Sequence, residues 1–486
     1  MMTRRLCGML LLAAAAAAVQ AQPYEQPPPP AAPRPARVAA PDEAMLANGL
    51  RVIVSSRAGV PLVSVRLVVL SGAEADPPQR AGLASMTAGL LARGTRRHSA
   101  PALAGAAEAL GGSIEAGAGW DRSAVGITVT TPKLSAALGL LAEVALEPTF
   151  APAEIERYRE QALDEMKVVL AQPGALAGLA VQRAVYGDGA YGHPVGGTPA
   201  SLPRIARADL RAHHARWFRP DNAVLVFAGD IAMDEARALA QRHFGRWKAP
   251  AQPLPAPRTA AGAPWPEATV VIDMPSAGQA GVAVAVPAVP ASSPERFAGM
   301  VANAVLGMGY SSRLNQEIRI KRGLSYSARS DFDARRHAGA VRASLQTKNP
   351  SAAEVVALIG AQLDALAGTP VPAEELDARR ASLIGGFGRT LETTQGLVDE
   401  VTDLAVAGLP LSDLPQRIGR LQAVSPEQVQ TFAGQHFAPA RRRVAVAGVA
   451  AEFEAELRKL GTPLAKAAQG AFDLESGRPP AVTPKP

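Results

Sequence analysis

Two residues in this chain carry strong hydrogen-bond donors close together in sequence. Arg319 and Tyr326 stand seven positions apart in Arg-Leu-Asn-Gln-Glu-Ile-Arg-Ile-Lys-Arg-Gly-Leu-Ser-Tyr-Ser, residues 313–327. A tyrosine hydroxyl can donate to the oxyanion that forms at a scissile carbonyl. A guanidinium can hold neighbouring carbonyls or a carboxylate in fork geometry. Taken alone, the two also suit an arginine packed on a tyrosine at a helix–strand junction. The seven histidines stand at 98, 193, 213, 214, 243, 337 and 436. No two are four apart, the spacing that sets two imidazoles on one helix face. His213 and His214 are adjacent and point to different sides of a helix. His193 lies in the loop sequence Tyr191-Gly192-His193-Pro194, where structural hydrogen bonding is expected. Ser85 has no Gly-x-Ser-x-Gly elbow around it, so a small residue packing a helix fits it better than a nucleophile.

The elements that position these groups read as α+β. Leu50–Val54, Leu62–Leu70 and Ala124–Thr130 carry β-branched alternation and read as strands, with Ala223–Ala228 and Arg443–Ala447 as closing apolar strands. Pro101–Leu110, Leu134–Leu146 and Ala153–Leu170 read as helices. Arg319 then falls late in a helix and Tyr326 on the following strand, with Gly323-Leu324 as the turn between them. The chain also repeats. Phe218, Pro220 and Gly229 match Phe437, Pro439 and Gly448, each at an offset of 219. Repeats of that length are duplicated domains, not solenoid units. The expected architecture is two homologous α+β domains, each a mixed or antiparallel sheet with helices packed on one face. They span residues 43–248 and 267–465, divided by a Pro-rich linker at 249–266, and a tail follows at 466–486.

Composition bounds the setting. Residues 1–21 combine Arg4 and Arg5, an apolar run over Met9–Val19 and a Val-Gln-Ala cleavage site, the pattern of a secretory signal. A Pro/Ala-rich tether, residues 22–42, follows. Cleavage would remove Cys7, the sole cysteine, and lower the formal net charge from +7 to +5. The exported chain would then have neither disulfide nor thiolate chemistry. No basic stripe with interleaved aromatics suggests nucleic acid, and no stable membrane span is expected in the mature chain. The expected location is periplasmic or secreted.

Residues 82–95 read Gly-Leu-Ala-Ser-Met-Thr-Ala-Gly-Leu-Leu-Ala-Arg-Gly-Thr. This run resembles the metal-binding helix of the insulinase/pitrilysin-type zinc peptidases, usually Gly-Leu-Ala-His-x-x-Glu-His with Gly-Thr beyond. Residues 313–327 resemble that family's second-half signature. The resemblance covers nearly all of residues 43–460. It puts Ser85 and Gly89 at the histidine ligand positions and Ala88 at the general-base position, and none of the three has a group for the task. The family's distal glutamate ligand falls on Glu165. One carboxylate cannot hold a catalytic zinc, which needs three protein ligands, so Glu165 is expected to be a relic or an ion-pair partner. The resemblance further implies that Arg319 and Tyr326 clamp substrate, and that Leu110–Trp120 holds the edge strand on which a peptide is laid. That segment is glycine-rich, and a flexible surface loop suits it equally well. In this family four such domains enclose a chamber, and some bacterial members and mitochondrial processing peptidase split them between two chains. The implied role is the non-zinc subunit of a bacterial heterodimer. This chain would hold no cofactor, while a homologous HxxEH-bearing partner would carry the zinc and a peptide would be the substrate. The other role open is a purely structural or peptide-holding subunit.

Overall fold

A computed structural model describes residues 38–256, 258, 262, 264–265 and 269–475. Residues 1–21, expected to be a secretory signal, most of the expected tether and the tail beyond residue 475 lie outside the described residues. The first half contains β1 (Asp42–Met45), β2 (Arg51–Ser56), β3 (Leu62–Val69), α1 (Leu83–Leu90), α2 (Ala100–Ala109), β4 (Glu115–Ala118) and β5 (Ser123–Thr130). It continues with α3 (Leu134–Leu146), α4 (Pro152–Ala171), α5 (Pro173–Tyr186), α6 (Arg207–Trp217), β6 (Ala223–Gly229) and α7 (Met233–Phe244). The second half contains β7 (Thr269–Asp273), β8 (Ala280–Ala288), α8 (Arg296–Gly307), β9 (Ala328–Ala334), β10 (Gly339–Thr347), α9 (Ala352–Gly368) and α10 (Ala373–Thr390). It ends with α11 (Thr394–Ala407), α12 (Asp413–Gln422), α13 (Pro426–His436), β11 (Arg443–Gly448), α14 (Glu454–Lys459) and β12 (Leu464–Ala468).

Each half forms one six-stranded mixed sheet, ordered β1-β2-β6-β3-β5-β4 and β12-β7-β11-β8-β10-β9. The offset of 219 carries β3 onto β8, β5 onto β10, β6 onto β11 and α6 onto α13. In the first sheet β2 and β6 run parallel and the other pairs antiparallel. The outer strands on one side differ: β1 enters antiparallel to β2, whereas β12 lies parallel to β7. The second sheet therefore runs past residue 465, and residues 466–468 of the expected tail form the end of β12. The linker also contributes to the fold, since the indole of Trp265 is buried.

Pattern explains which faces are covered. In β5 the alternating Val125, Ile127 and Val129 point inward onto the helices of their own half. β6 is buried along its whole length, as a strand covered on both faces must be. The second cover comes from the other half. Val224 and Val226 pack on Leu397, Val398 and Val401 of α11. In return, Leu176, Ala177, Ala180 and Val181 of α5 pack on Ala283, Ala285, Ala445 and Ala447 of the second sheet. The two helices carry apolar residues at the same i, i+1, i+4 spacing, one helical stripe each. Burying each Leu or Val stabilises by about 1.5–3 kcal/mol. Each half thus supplies a helix that closes the other's sheet, while its own helices pack on the opposite face.

Local chemistry sets the exchange. Pro173 drives Gln172 into an extended conformation (ψ 117°) and breaks the helical run, leaving α4 and α5 at 96°. Gly281 admits the start of α5, because a Cβ there would stand 2.3 Å from backbone atoms of Pro173 and Gly174. Ser64 ties the start of α11 to the first sheet through the hydroxyl of Thr394 at 2.8 Å. The segment Asn349–Gly368, which contains α9, is long and apolar enough to cross a membrane. Here α9 is a core helix, with Val355, Ile359, Leu363 and Leu366 buried against the second sheet.

Candidate functional site

The first candidate lies on α1. Its N-terminus has no side-chain cap of its own. Instead the buried carboxylate of Asp76 accepts from the N–H groups of Gly82 and Ala84, both at 2.8 Å. A carboxylate there satisfies orphan donors and opposes the helix dipole. Burial pushes this carboxyl well above its ordinary range, against the pull of those two N–H groups. Ser85 and Gly89 are half-buried and Ala88 is fully buried. Tyr158 of α4 lies across them. Its hydroxyl donates to the Ser85 carbonyl at 3.3 Å. A Cβ built on Gly89 would stand 2.5 Å from Tyr158 Cε2. The ring therefore fills the space a side chain at position 89 would enter.

Glu165 stands two turns beyond Tyr158 on α4. It is exposed and makes no hydrogen bond or ion pair among the described residues. The described residues thus offer it no ion-pair partner. Among the described residues no three His, Cys, Asp or Glu side chains converge on one point. A hydroxyl, a methyl group, a bare Cα and one carboxylate do not fit zinc.

The second candidate is the Arg319/Tyr326 pair, which the structure brings together. Arg319 lies in a π-helical turn, Asn315–Ile320, anchored by buried Leu314 and Ile318. Such turns widen the helix by one residue and are frequent at functional sites. Gly323 (φ 62°) then reverses the chain, and Leu324 N–H returns to the Ile318 carbonyl at 2.9 Å. Asn315 ties the region together: its amide donates to the Gly309 carbonyl at 2.9 Å, and its oxygen accepts from Ala328 N–H at 3.2 Å. Tyr326 sits in the loop two residues before β9, not on the strand, and is 87% exposed. The strand starts only at Ala328, where that bond to Asn315 secures the backbone.

The Arg319 guanidinium carbon lies 4.8 Å from the ring centroid of Tyr326 and 5.0 Å from that of Tyr310. Two aromatic faces flank the cation, each contributing about 0.5–1 kcal/mol at an exposed site. Neither the guanidinium nor the Tyr326 hydroxyl has a hydrogen-bond or ion-pair partner among the described residues. Both present free donors to solvent from a pre-set position. Tyr310 was not singled out from the sequence. Its signal was an aromatic directly after Gly309, which adopts φ 84°.

The edge-strand expectation for Leu110–Trp120 resolves into parts. Glu115–Ala118 is β4, which among the described residues pairs with β5 and is the outer strand of its sheet. Trp120 lies outside the strand and packs between the halves, its ring 4.3 Å from the Arg335 guanidinium carbon and 5.6 Å from Tyr191. His193 binds the Pro194 carbonyl through Nδ1 at 3.1 Å, and burial lowers its pKa to about 4. His213 lies beside Trp217, while His214 stacks on Phe218 at 4.6 Å.

Sequence reading also missed a polar hub between the halves. Arg336 donates to the carbonyls of Leu70 (3.0 Å), Asp121 (3.1 Å) and Val406 (2.7 Å). The Asp121 carboxylate accepts from Tyr191 and from Arg336 N–H. Burial, and then the nearby Asp121 charge, push Glu74 up to about 7. These residues are scattered over three hundred positions, so no local motif marks them.

Comparison with known proteins agrees with this geometry. Residues 51–199 match the family described as "Insulinase (Peptidase family M16)", and residues 204–383 match "Peptidase M16 inactive domain". An uncharacterized zinc protease of Mycobacterium leprae is 28% identical over 405 residues, covering 83% of this chain and 91% of that protein. The structure of a peptidase M16 inactive domain from Pseudomonas fluorescens superposes with a TM-score of 0.79 at 26% identity, covering 84% of this chain and 98% of that one. A chain of complex III from Candida albicans has the same fold, with a TM-score of 0.72 at 13% identity and coverage of 86% and 99%. The chain belongs to the insulinase (M16) peptidase family, and carries Ser85, Ala88 and Gly89 where that family's zinc motif would stand.

Proposed function

We propose that this chain is the non-zinc subunit of an exported heteromeric metallopeptidase, and that it supplies Arg319 and Tyr326 to a partner's active site. The observation that carries this reading is the contrast between its two sites. Tyr158 packs the metal positions shut, whereas Arg319 is held between two tyrosines with its donors free. The partner would be a homologous chain with an intact HxxEH motif, and its zinc would activate the attacking water. This chain's residues would hold the peptide: Arg319 grips carbonyls or a carboxylate, and Tyr326 donates to the developing oxyanion. The signal-like residues 1–21 support a periplasmic or secreted location.

The test is reconstitution. The full chain is co-expressed with zinc-bearing homologues from the same genome, and the pair is followed through gel filtration and a fluorogenic peptide assay. A stable complex, active where neither chain is active alone, is expected. An interface between obligate subunits should be large and partly apolar. If the chain stays monomeric and activates no zinc-bearing homologue, the reading fails. A second reading is a structural or peptide-holding subunit, favoured by the packing of Arg319 on Tyr310 and Tyr326 as a plain stacking contact. That reading predicts association without any effect of Arg319 or Tyr326 on turnover.

A further inference from the structure

The exchanged helix α5 does more than close the second sheet. Its first two turns carry Gly174 and Gly178 on the side facing that sheet. A Cβ at Gly174 would stand 2.8 Å from Gln346 Nε2, and one at Gly178 would stand 3.8 Å from Arg342 Nη1. This bare stripe leaves a groove of about 620 Å³ between α5, the face of β10 and the start of β9. Tyr326 lines the same groove.

The charge of the groove is one-sided. Arg329 and Arg342 line it with several glutamines and serines, and no carboxylate is among its described lining residues. Arg329 is exposed on β9, opposite Ser344, and has no ion pair among the described residues. Arg342 reaches across the ladder to Asp331 at 3.3 Å, and its buried Nε has no hydrogen-bond partner. Two acids close in sequence to these arginines are engaged with other cations. Asp333 pairs with Arg335 at 2.5 Å, and Glu317 holds Lys321 and Arg322. Arg319 and Arg329 make no ion pair among the described residues. β9 is also the outer strand of its sheet. Its outward N–H and C=O groups can take an added extended strand, whose alternate side chains would point to the groove.

We propose that this groove binds an extended peptide segment carrying Asp or Glu at the position beside Arg329 and Arg342. The inference rests on the reading of Arg319 and Tyr326 as peptide-binding residues, and goes beyond it by naming an acidic recognition element. A guanidinium meeting a carboxylate in fork geometry gives the pairing both strength and register. A lysine at that position would be repelled.

Binding to the full chain alone tests this, without any zinc-bearing partner. The probes are fluorescein-labelled extended peptides that differ at alternating positions by Glu, Gln or Lys, read by fluorescence anisotropy. The Glu peptide should bind about tenfold more tightly than its Gln twin at moderate salt, and the preference should shrink as salt rises. Arg329→Gln should reduce the Glu/Gln ratio at least threefold, and Arg342→Gln should act in the same direction. Arg329 is exposed, so R329Q should fold normally, which a thermal melt verifies. Equal binding of the Glu and Gln peptides, no binding of either, or an unchanged ratio in R329Q overturns the proposal. A chain that activates a zinc partner but ignores the acidic residue refutes this inference alone. A chain that selects the acidic peptide but activates no partner refutes the proposed function and leaves the groove assignment standing.

Discussion

Gly89→Ala offers a direct test of how the metal position was closed. Ala is normally better than Gly inside a helix by about 0.8–1.0 kcal/mol, so an ordinary site in α1 would gain stability. Here the new Cβ would stand 2.5 Å from Tyr158 Cε2 and 2.9 Å from its hydroxyl. Ordinary carbon contacts are about 3.5–4.0 Å, so the ring must move by roughly 1 Å or more. That movement breaks the hydroxyl's 3.3 Å bond to the Ser85 carbonyl. Losing one such bond costs about 0.5–1.5 kcal/mol, and overpacking adds about 1–3 kcal/mol. The net effect in the natural chain is destabilisation by about 1–3 kcal/mol. In a Tyr158→Ala background the ring is gone, and the same substitution should stabilise by about 1 kcal/mol. Urea unfolding of the four chains completes a double-mutant cycle, and a coupling of at least 1 kcal/mol is expected. If Gly89→Ala stabilises both backgrounds equally, Tyr158 does not occupy the site and the account of its closure is wrong.

Other outcomes follow from the same geometry. In a reconstituted complex Tyr326→Phe should lower kcat by on the order of 10²–10³ with assembly intact, as loss of one oxyanion donor does. Arg319→Ala should also raise KM, since it removes an anchor on the peptide, and steady-state kinetics separates the two patterns. Glu74, pushed from 4.5 to about 7, binds its proton more tightly in the folded state. Its contribution is therefore fully present below pH 4.5 and is lost as pH rises through 7. Glu74→Gln should flatten that fall, by up to about 3 kcal/mol, in denaturant titrations between pH 5 and 8. Leu176→Ala, on the face of α5 buried against the second sheet, should cost about 2–5 kcal/mol in the same assay, because the cavity opens inside the exchanged layer.

Much of the fold was legible because periodicity reports which residues face a core. The offset of 219, seen in Phe218, Pro220 and Gly229, organises both sheets and most of the helices that cover them. What periodicity cannot report is whose core a stripe faces. Leu176 and Val181 on α5 form an amphipathic pattern that would suit either sheet, so the exchange of α5 and α11 was not visible. The boundary at 465 failed for a similar reason. Leu464–Ala468 is a short strand whose partner among the described residues, β7, lies almost two hundred residues upstream. Arg319 and Tyr326 were found by resemblance, and the stacking of one on the other matches the plain alternative of an arginine packed on a tyrosine. Tyr310 was missed because a ring that stacks on an arginine nine residues away leaves no periodic trace. Glu74, Asp121 and Arg336 were missed because their meeting depends on how the two halves dock.

The residues that anchor the two candidate sites lie in different halves. The clamp is held by Asn315, Ile318, Gly323 and Thr347, whose hydroxyl donates to the Leu324 carbonyl at 2.7 Å, and all belong to the second half. The emptied helix is held by Asp76, Tyr158 and the first sheet, all in the first half. Replacing ligands by Ser, Ala and Gly leaves α1 capped and packed, with Tyr158 filling what a larger side chain would occupy. Nothing in that change reaches Arg319. Conversely, the exchange of α5 and α11 makes the halves mutually dependent for stability, since each sheet would expose a bare apolar face without the other's helix. Loss of the metal site is therefore compatible with a chain that must still fold as a whole. Under the proposed function its role falls to Arg319 and Tyr326, whose donors have no partner among the described residues.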